Sequence, residues 1–464
     1  MKKTFINYLT GDIMARGLGI ISVPIYTYMI NPQEYGLYSI VLSYVAISSF
    51  LFSLNVHTAI GRFFYEKDID IGRFLSTTLI LTVIILFISF AILFLINDVF
   101  LNNLLGFEFT IYKIYFSLLV ISSIIFLIYQ QILMPQSRAK EYAILVVMQA
   151  YLKFILAVGF LYFLGATAER FLQAILVVDI FISCYIAWNL RTYIRFKFNK
   201  SDAKYILNYS ILLIPYMLSS VILAQIDRVM IGNLLGTSEA GFYSVAYAFG
   251  SVPLMMYAAL SNAWMPKYFL NMNEKDYITL DKDVVQIVFL LMVGTIVFSV
   301  YTELFLKLIL SDSYSVSVTY IPLISLSMFF AMLWHIFGRG ISFAKKTIWT
   351  SIAGIISAIV NVGLNYIWIP KYGLMGAVYA TYVSYLVMAL LGYLFAKYIL
   401  GIYTTSIIQL KWSISSVFFI SFIMIYFGSV ALLIMQFVFP LFLIALYFKN
   451  KHTVDNLMKR IMNK

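Results

Sequence analysis

Four basic side chains, Arg16, Lys153, Arg228 and Arg339, lie inside long apolar stretches of the sequence, and Asp12, Asp179 and Asp227 lie there with them. A charge near the centre of a bilayer is costly, so such groups face a watery cavity or an opposite charge, and each is a functional candidate by default. The chemistry open to them is electrostatic. Arginine or lysine in a low-dielectric cavity supplies counter-charge to a phosphate or carboxylate. A carboxylate there can take up a proton or a sodium ion and couple it to movement, for which Asp12, Asp179, Asp227 and Glu303 are the candidates. Arg16 and Lys153 fall near the middle of their stretches and carry the most weight. Arg228 and Arg339 approach opposite ends, where long side chains can snorkel.

Each candidate has a plainer structural reading. Asp12 and Arg16 are four residues apart on one helical face and can neutralise one another. Lys153 and Asp179 fall at similar depth on consecutive stretches and can form an ion pair. Asp227 and Arg228 are adjacent, so on a helix they point about 100° apart and pair less directly. His335, one turn before Arg339, reads better as part of a polar face than as a titrating group.

Bond-making chemistry finds no support. The three histidines, His57, His335 and His452, form no HExxH motif, and there is no GxSxG, Walker loop or GxGxxG ahead of a soluble helix. No Cys/His spacing suggests a metal, the one cysteine (Cys184) excludes a disulfide framework, and no cofactor is expected. The chain reads as a non-enzyme driven by an ion or substrate gradient.

Positioning such charges falls to transmembrane helices. Apolar residues make up 62% of the chain and charged residues 11%, and mean hydropathy is +0.93, which a soluble fold could not tolerate on its surface. A hydrocarbon core of ~30 Å needs about 20 helical residues. On that scale fourteen spans are predicted: 7–30, 37–57, 75–96, 112–134, 142–164 and 169–190, then 209–235, 241–265, 285–310, 318–343, 347–369 and 375–398, and finally 407–427 and 429–448. The expected architecture is all-α and polytopic, with two parallel six-helix repeats at 1–200 and 201–400. Two extra helices and a basic tail occupy 401–464.

Of the 32 lysines and arginines, 24 fall in alternate connections together with both termini. The positive-inside rule then places both termini in the cytoplasm. Topology thus explains most of the +12 net charge, and no basic domain or motif points to nucleic acid.

Glu34-Tyr35-Gly36-Leu37-Tyr38-Ser39 returns 205 residues later as Glu239-Ala240-Gly241-Phe242-Tyr243-Ser244, in the same kind of gap between apolar runs. Two halves built this way can rock about a site between them. The same offset sets Arg62 against Lys267, each a basic residue ending a second helix, as cytoplasmic entrance contacts or ordinary interfacial anchors. It does not align the buried charges: Arg16 falls on Val221, and Asp227-Arg228 falls on Ser22-Val23. Where the halves disagree is the expected transport path.

Gln225-Ile226-Asp227-Arg228-Val229-Met230-Ile231-Gly232, followed by Glu239-Ala240-Gly241-Phe242-Tyr243-Ser244-Val245-Ala246, resembles the bacterial polysaccharide-exporter family of lipid-linked oligosaccharide flippases. Pro32-Gln33-Glu34-Tyr35-Gly36-Leu37-Tyr38 and Ile369-Pro370-Lys371-Tyr372-Gly373-Leu374-Met375-Gly376-Ala377 fit the same pattern at hairpin turns. The resemblance implies alternating-access translocation of an undecaprenyl-pyrophosphate-linked oligosaccharide for O-antigen, capsule or exopolysaccharide synthesis. It also implies a place in the bacterial cytoplasmic (inner) membrane, with a polysaccharide polymerase and assembly proteins as partners, and H+ or Na+ stays the coupling ion that the buried carboxylates allow. Arg16 and Lys153 would then meet phosphates or acidic sugars, with Arg228 and Arg339 assisting near the exits. A cation or drug antiporter of the same superfamily would carry an acidic cavity and twelve spans. A membrane glycan polymerase would carry a large external loop, which this sequence lacks.

Overall fold

The computed structural model describes residues 2–64, 70–136, 138–193, 195, 197–428 and 436, with the side chains of 2–10, 12, 104, 259, 262 and 263 outside that description. No strand occurs among the described residues. The first half comprises α1 (Lys2–Met29), α2 (Pro32–Phe52), α3 (Thr58–Phe63), α4 (Ile71–Leu95), α5 (Asp98–Leu105), α6 (Phe109–Leu133), α7 (Ala139–Phe163) and α8 (Ala168–Leu190). The second comprises α9 (Lys200–Leu234), α10 (Thr237–Gly250), α11 (Val252–Glu274), α12 (Tyr277–Ile309), α13 (Ser315–Val318), α14 (Ile321–Phe343), α15 (Ile348–Tyr372) and α16 (Leu374–Leu394). A last helix, α17, covers Lys411–Gly428.

Eleven of these helices are long and apolar enough to cross a membrane: α2, α4, α6 to α9, α12 and α14 to α17. Large apolar side chains such as Phe87, Leu95 and Leu212 stay exposed on them, as a lipid-facing surface requires. Packing between lipid-embedded helices rests on close fit and side-chain hydrogen bonds instead of on hydrophobic burial. The most enclosed helix is α14, packed against α10, α11, α12 and α16.

The sequence boundaries need three corrections. The span expected at 241–265 is two helices, α10 and α11, separated at Ser251. Pro253, in the first turn of α11, has no N–H to continue the α10 ladder. The span expected at 37–57 stops at Phe52, because Leu54 and Asn55 take positive φ values of 44° and 56°. Ser49 and Ser53 bond back to Val45 O and Ser49 O just before that turn, a habit that bends helix ends. The 97–111 connection holds the short helix α5, capped by the Asn97 side chain on Val99 N. The span expected at 429–448 lies outside the described residues, apart from Gln436, as does His452.

The halves repeat their pairings as well as their sequence. Helix α1 packs on α7 as α9 packs on α15, and α6 packs on α8 as α14 packs on α16. Between the halves, α2 lies against α10, so the two copies of the repeated motif meet each other.

Candidate functional site

At the motif end the halves are joined by the repeat itself. A Cβ on Gly36 would fall 2.7 Å from Gly241 N and closer still to Thr237 O, and one on Gly241 would fall 3.1 Å from Gly36 N. Only glycine at both positions lets α2 and α10 approach so closely. One turn on, Ser244 Oγ donates to Ser39 Oγ at 2.8 Å, a bond between residues 205 apart and therefore between equivalent positions. Around this contact Tyr314 OH donates to Ile30 O (2.9 Å), Ser311 N donates to Thr27 Oγ1 (3.3 Å), and Glu34 accepts from Ala168 N (2.7 Å) at the start of α8.

From this shared end the halves diverge. In the second half Asp227 is fully buried and is bonded from three helices. It accepts from Tyr243 OH at 2.7 Å, Thr381 Oγ1 at 2.8 Å and Asn365 Nδ2 at 2.6 Å. Asn361, one turn from Asn365 on α15, extends the cluster at 3.1 Å. A carboxylate ringed by neutral oxygen- and amide-bearing groups is chemically able to hold a proton or a hard cation. Arg228, its neighbour, turns away as its position predicts. It donates to Ala224 O (2.9 Å) and Gln225 Oε1 (3.0 Å) and lies over the Tyr247 ring at 4.8 Å. Gln225 Oε1 also accepts from Ser43 of α2 at 3.2 Å, which connects this arginine to the first half.

Towards the other end of the second half, Arg339 is buried on α14 against α11. It donates to Tyr257 OH at 3.2 Å and to the Ser261 hydroxyl, and it lies over the Trp264 ring at 4.7 Å. Its Nη1 and Trp264 Nε1 have no hydrogen-bond partner among the described residues. His335 stacks on Tyr257 with ring centroids 5.8 Å apart and is itself exposed. Buried donors without an acceptor are costly and mark a place where an acceptor-rich ligand would be welcome.

The first half is arranged differently. Lys153 Nζ lies 2.7 Å from Asp179 Oδ1, so these two form the ion pair that their depths allow. Gln149 Nε2 donates to the same oxygen at 2.7 Å, and the group borders a half-open cavity. Arg16 is exposed on α1 and does not line that cavity, while the Asp12 side chain lies outside the described residues. At the end remote from the motif, Lys267 pairs with Asp283 at 2.6 Å and Arg62 lies over Tyr209 at 5.5 Å. Glu303 pairs with Lys307 one turn away at 2.6 Å.

The sequence reading singled out the charges and missed their neutral partners. Tyr243, Asn365 and Thr381 stand 16, 138 and 154 residues from Asp227. One signal was visible: Asn361 and Asn365, four apart in an apolar run, share a helical face.

A family profile described as "Polysaccharide biosynthesis protein" matches residues 1–272, more than half of the chain. The chain belongs to the polysaccharide biosynthesis protein family. This family member has the fold of the lipid II flippase MurJ in its inward closed conformation, with a TM-score of 0.71 at 17% identity over 96% of this chain and 99% of that one. It is also similar to an inward-facing multidrug resistance MATE transporter of the MOP superfamily, with a TM-score of 0.64 at 17% identity over 84% and 97%. A MOP superfamily transporter from Pyrococcus furiosus, described by the reverse polarity of its binding pocket, gives 0.54 at 18% identity over 85% and 94%. No curated protein matches the sequence. At these identities the structural likeness speaks for fold alone, and it agrees with a multi-pass, all-helical membrane protein.

Proposed function

We propose that this family member translocates an undecaprenyl-pyrophosphate-linked oligosaccharide across the bacterial cytoplasmic membrane by alternating access, for surface polysaccharide synthesis. The observation that carries the reading is Arg339, a buried guanidinium held by hydroxyls and aromatic rings, with no carboxylate paired to it and its Nη1 unbonded among the described residues. A guanidinium in that state favours a phosphate, which it can grip through two parallel bonds. Arg228 near the motif end serves as the second cationic contact, and Arg16 offers charge from α1. With both termini cytoplasmic, the Gly36–Gly241 contact closes the outer end, while Arg62 and Lys267 stand at the cytoplasmic entrance. The halves 1–200 and 201–400 rock about the closed end, and 401–464 adds helices beside the second. Asp227, in its neutral cluster, is the coupling group for H+ or Na+. A polymerase acting on the outer leaflet would consume the product.

The test is genetic. Cells lacking the protein should lose surface polysaccharide and accumulate lipid-linked oligosaccharide facing the cytoplasm. Wild type should restore export, while an Arg339→Gln variant present at equal level should not. Normal surface polysaccharide in the deletion strain, with raised sensitivity to a cationic drug, would replace this reading with drug export.

A further inference from the structure

The first half holds a cavity of about 210 Å3 walled by helices α2, α6, α7 and α8, none of them from the second half. At ~30 Å3 per water it has room for roughly seven waters, which suits one sugar ring with its hydroxyls. Its polar lining is Ser49, Ser122, Ser123, Gln149 and the Lys153–Asp179 pair. Phe50 and Phe126 supply aromatic wall.

The charge at this cavity is already balanced. Lys153 is 2.7 Å from Asp179, whose side chain is 8% exposed. An incoming pyrophosphate would have to draw Lys153 away from a buried carboxylate and leave that carboxylate without its cation, which opposes binding. A neutral polyol meets no such penalty, because each hydroxyl both donates and accepts. It can donate to Asp179 and accept from Lys153 without separating them. Ser49 already donates to Val45 O at 2.7 Å, so it offers a ligand its lone pairs. Aromatic wall beside polar groups matches a pyranose, which has an apolar C–H face and a polar rim. The second half offers the opposite: buried donors, Arg339 Nη1 and Trp264 Nε1, that lack an acceptor among the described residues.

We infer that this first-half cavity is a sugar-recognition subsite, binding an uncharged pyranose of the lipid-linked glycan while the second half holds the pyrophosphate. The inference rests on the translocation reading above and assigns its two chemistries to different halves.

Cysteine protection tests it on the full chain in proteoliposomes. Cys184 is the one cysteine, so Cys184→Ser with Ser123→Cys places a single thiol at the cavity, and its rate of maleimide labelling is measured. Three probes are compared: inorganic pyrophosphate, glycan-bearing lipid pyrophosphate extracted from the producing cells, and the same lipid stripped of its glycan. The glycan-bearing lipid should slow labelling roughly fivefold at about four times its Kd, and the other two should leave the rate unchanged. Equal protection by the stripped lipid, protection by pyrophosphate, or no protection by a glycan-bearing lipid that the same vesicles do translocate would overturn the subsite. Protection without translocation would keep the subsite and remove the transport reading. If Ser123→Cys does not fold, Gln149→Cys in the same background gives the same comparison.

Discussion

The two halves share a scaffold and differ in how they manage buried charge. In the first half a cation and an anion cancel, with Lys153 on Asp179 beside a hydroxyl-lined cavity. In the second half Asp227, Arg228 and Arg339 are each held without an ion pair among the described residues: Asp227 sits among neutral donors, while Arg228 and Arg339 rest on aromatic rings. The repeat contacts at Gly36–Gly241 and Ser39–Ser244 are common to both copies. At the position equivalent to Asp227 the first half has Ser22, bonded to its own helix at Gly19 O. The lesson is that the repeated residues make the contact between the copies, while the buried charges sit where the copies differ.

The sharpest way to break this contrast is Asp227→Val. It strips the acceptor from Tyr243, Asn365 and Thr381 in a fully buried site. The cost should be about 3 kcal/mol, because the Tyr243–Thr381 and Asn365–Asn361 contacts survive. The midpoint of thermal unfolding in nanodiscs reports it. Asp227→Asn should keep the fold and lose ion-coupled transport, and full transport by that variant would make the cluster purely structural.

The shared end comes next. Gly36→Ala and Gly241→Ala each push a methyl into the opposite half's backbone, and overpacking of this kind costs about 2 kcal/mol. Because the contact is reciprocal, the two substitutions should shift unfolding by similar amounts and expose a cysteine at position 39 to external label equally. A large difference between them would show that the halves do not meet as equals.

Third, Lys153→Met and Asp179→Leu should each cost about 2 kcal/mol, below the 3–5 kcal/mol of a fully enclosed pair because the lysine is partly exposed. The double variant should be more stable than either single one, and a double-mutant cycle in unfolding measures this. Additive losses would mean that the two charges act separately, as Asp227 and Arg339 do in the second half. The smallest effect is expected at Lys267→Ala, an exposed pair with Asp283 worth under about 0.5 kcal/mol.

Much of this contrast was legible in residue order. The repeat predicted that Gly36 and Gly241 hold equivalent places, and close packing of two copies explains why both must be glycine. The similar depth of Lys153 and Asp179 allowed their pairing as an alternative to ligand contact, without choosing between the two. The aromatic and hydroxyl partners were not legible, because Tyr257, Ser261 and Trp264 become neighbours of Arg339 only when α11 folds against α14. The break at Ser251 was signalled by Gly250 and Pro253, but hydropathy averaged across it. Charge marks a site locally, whereas its neutral shell is assembled by topology.

The most direct test of the account is translocation by the purified chain in proteoliposomes. Glycan-bearing lipid pyrophosphate should move between leaflets with wild type and at least about tenfold more slowly with Arg339→Gln, the effect of losing about 1.4 kcal/mol of interaction. Equal rates for the two proteins, or transport of organic cations with none of the lipid, would contradict it.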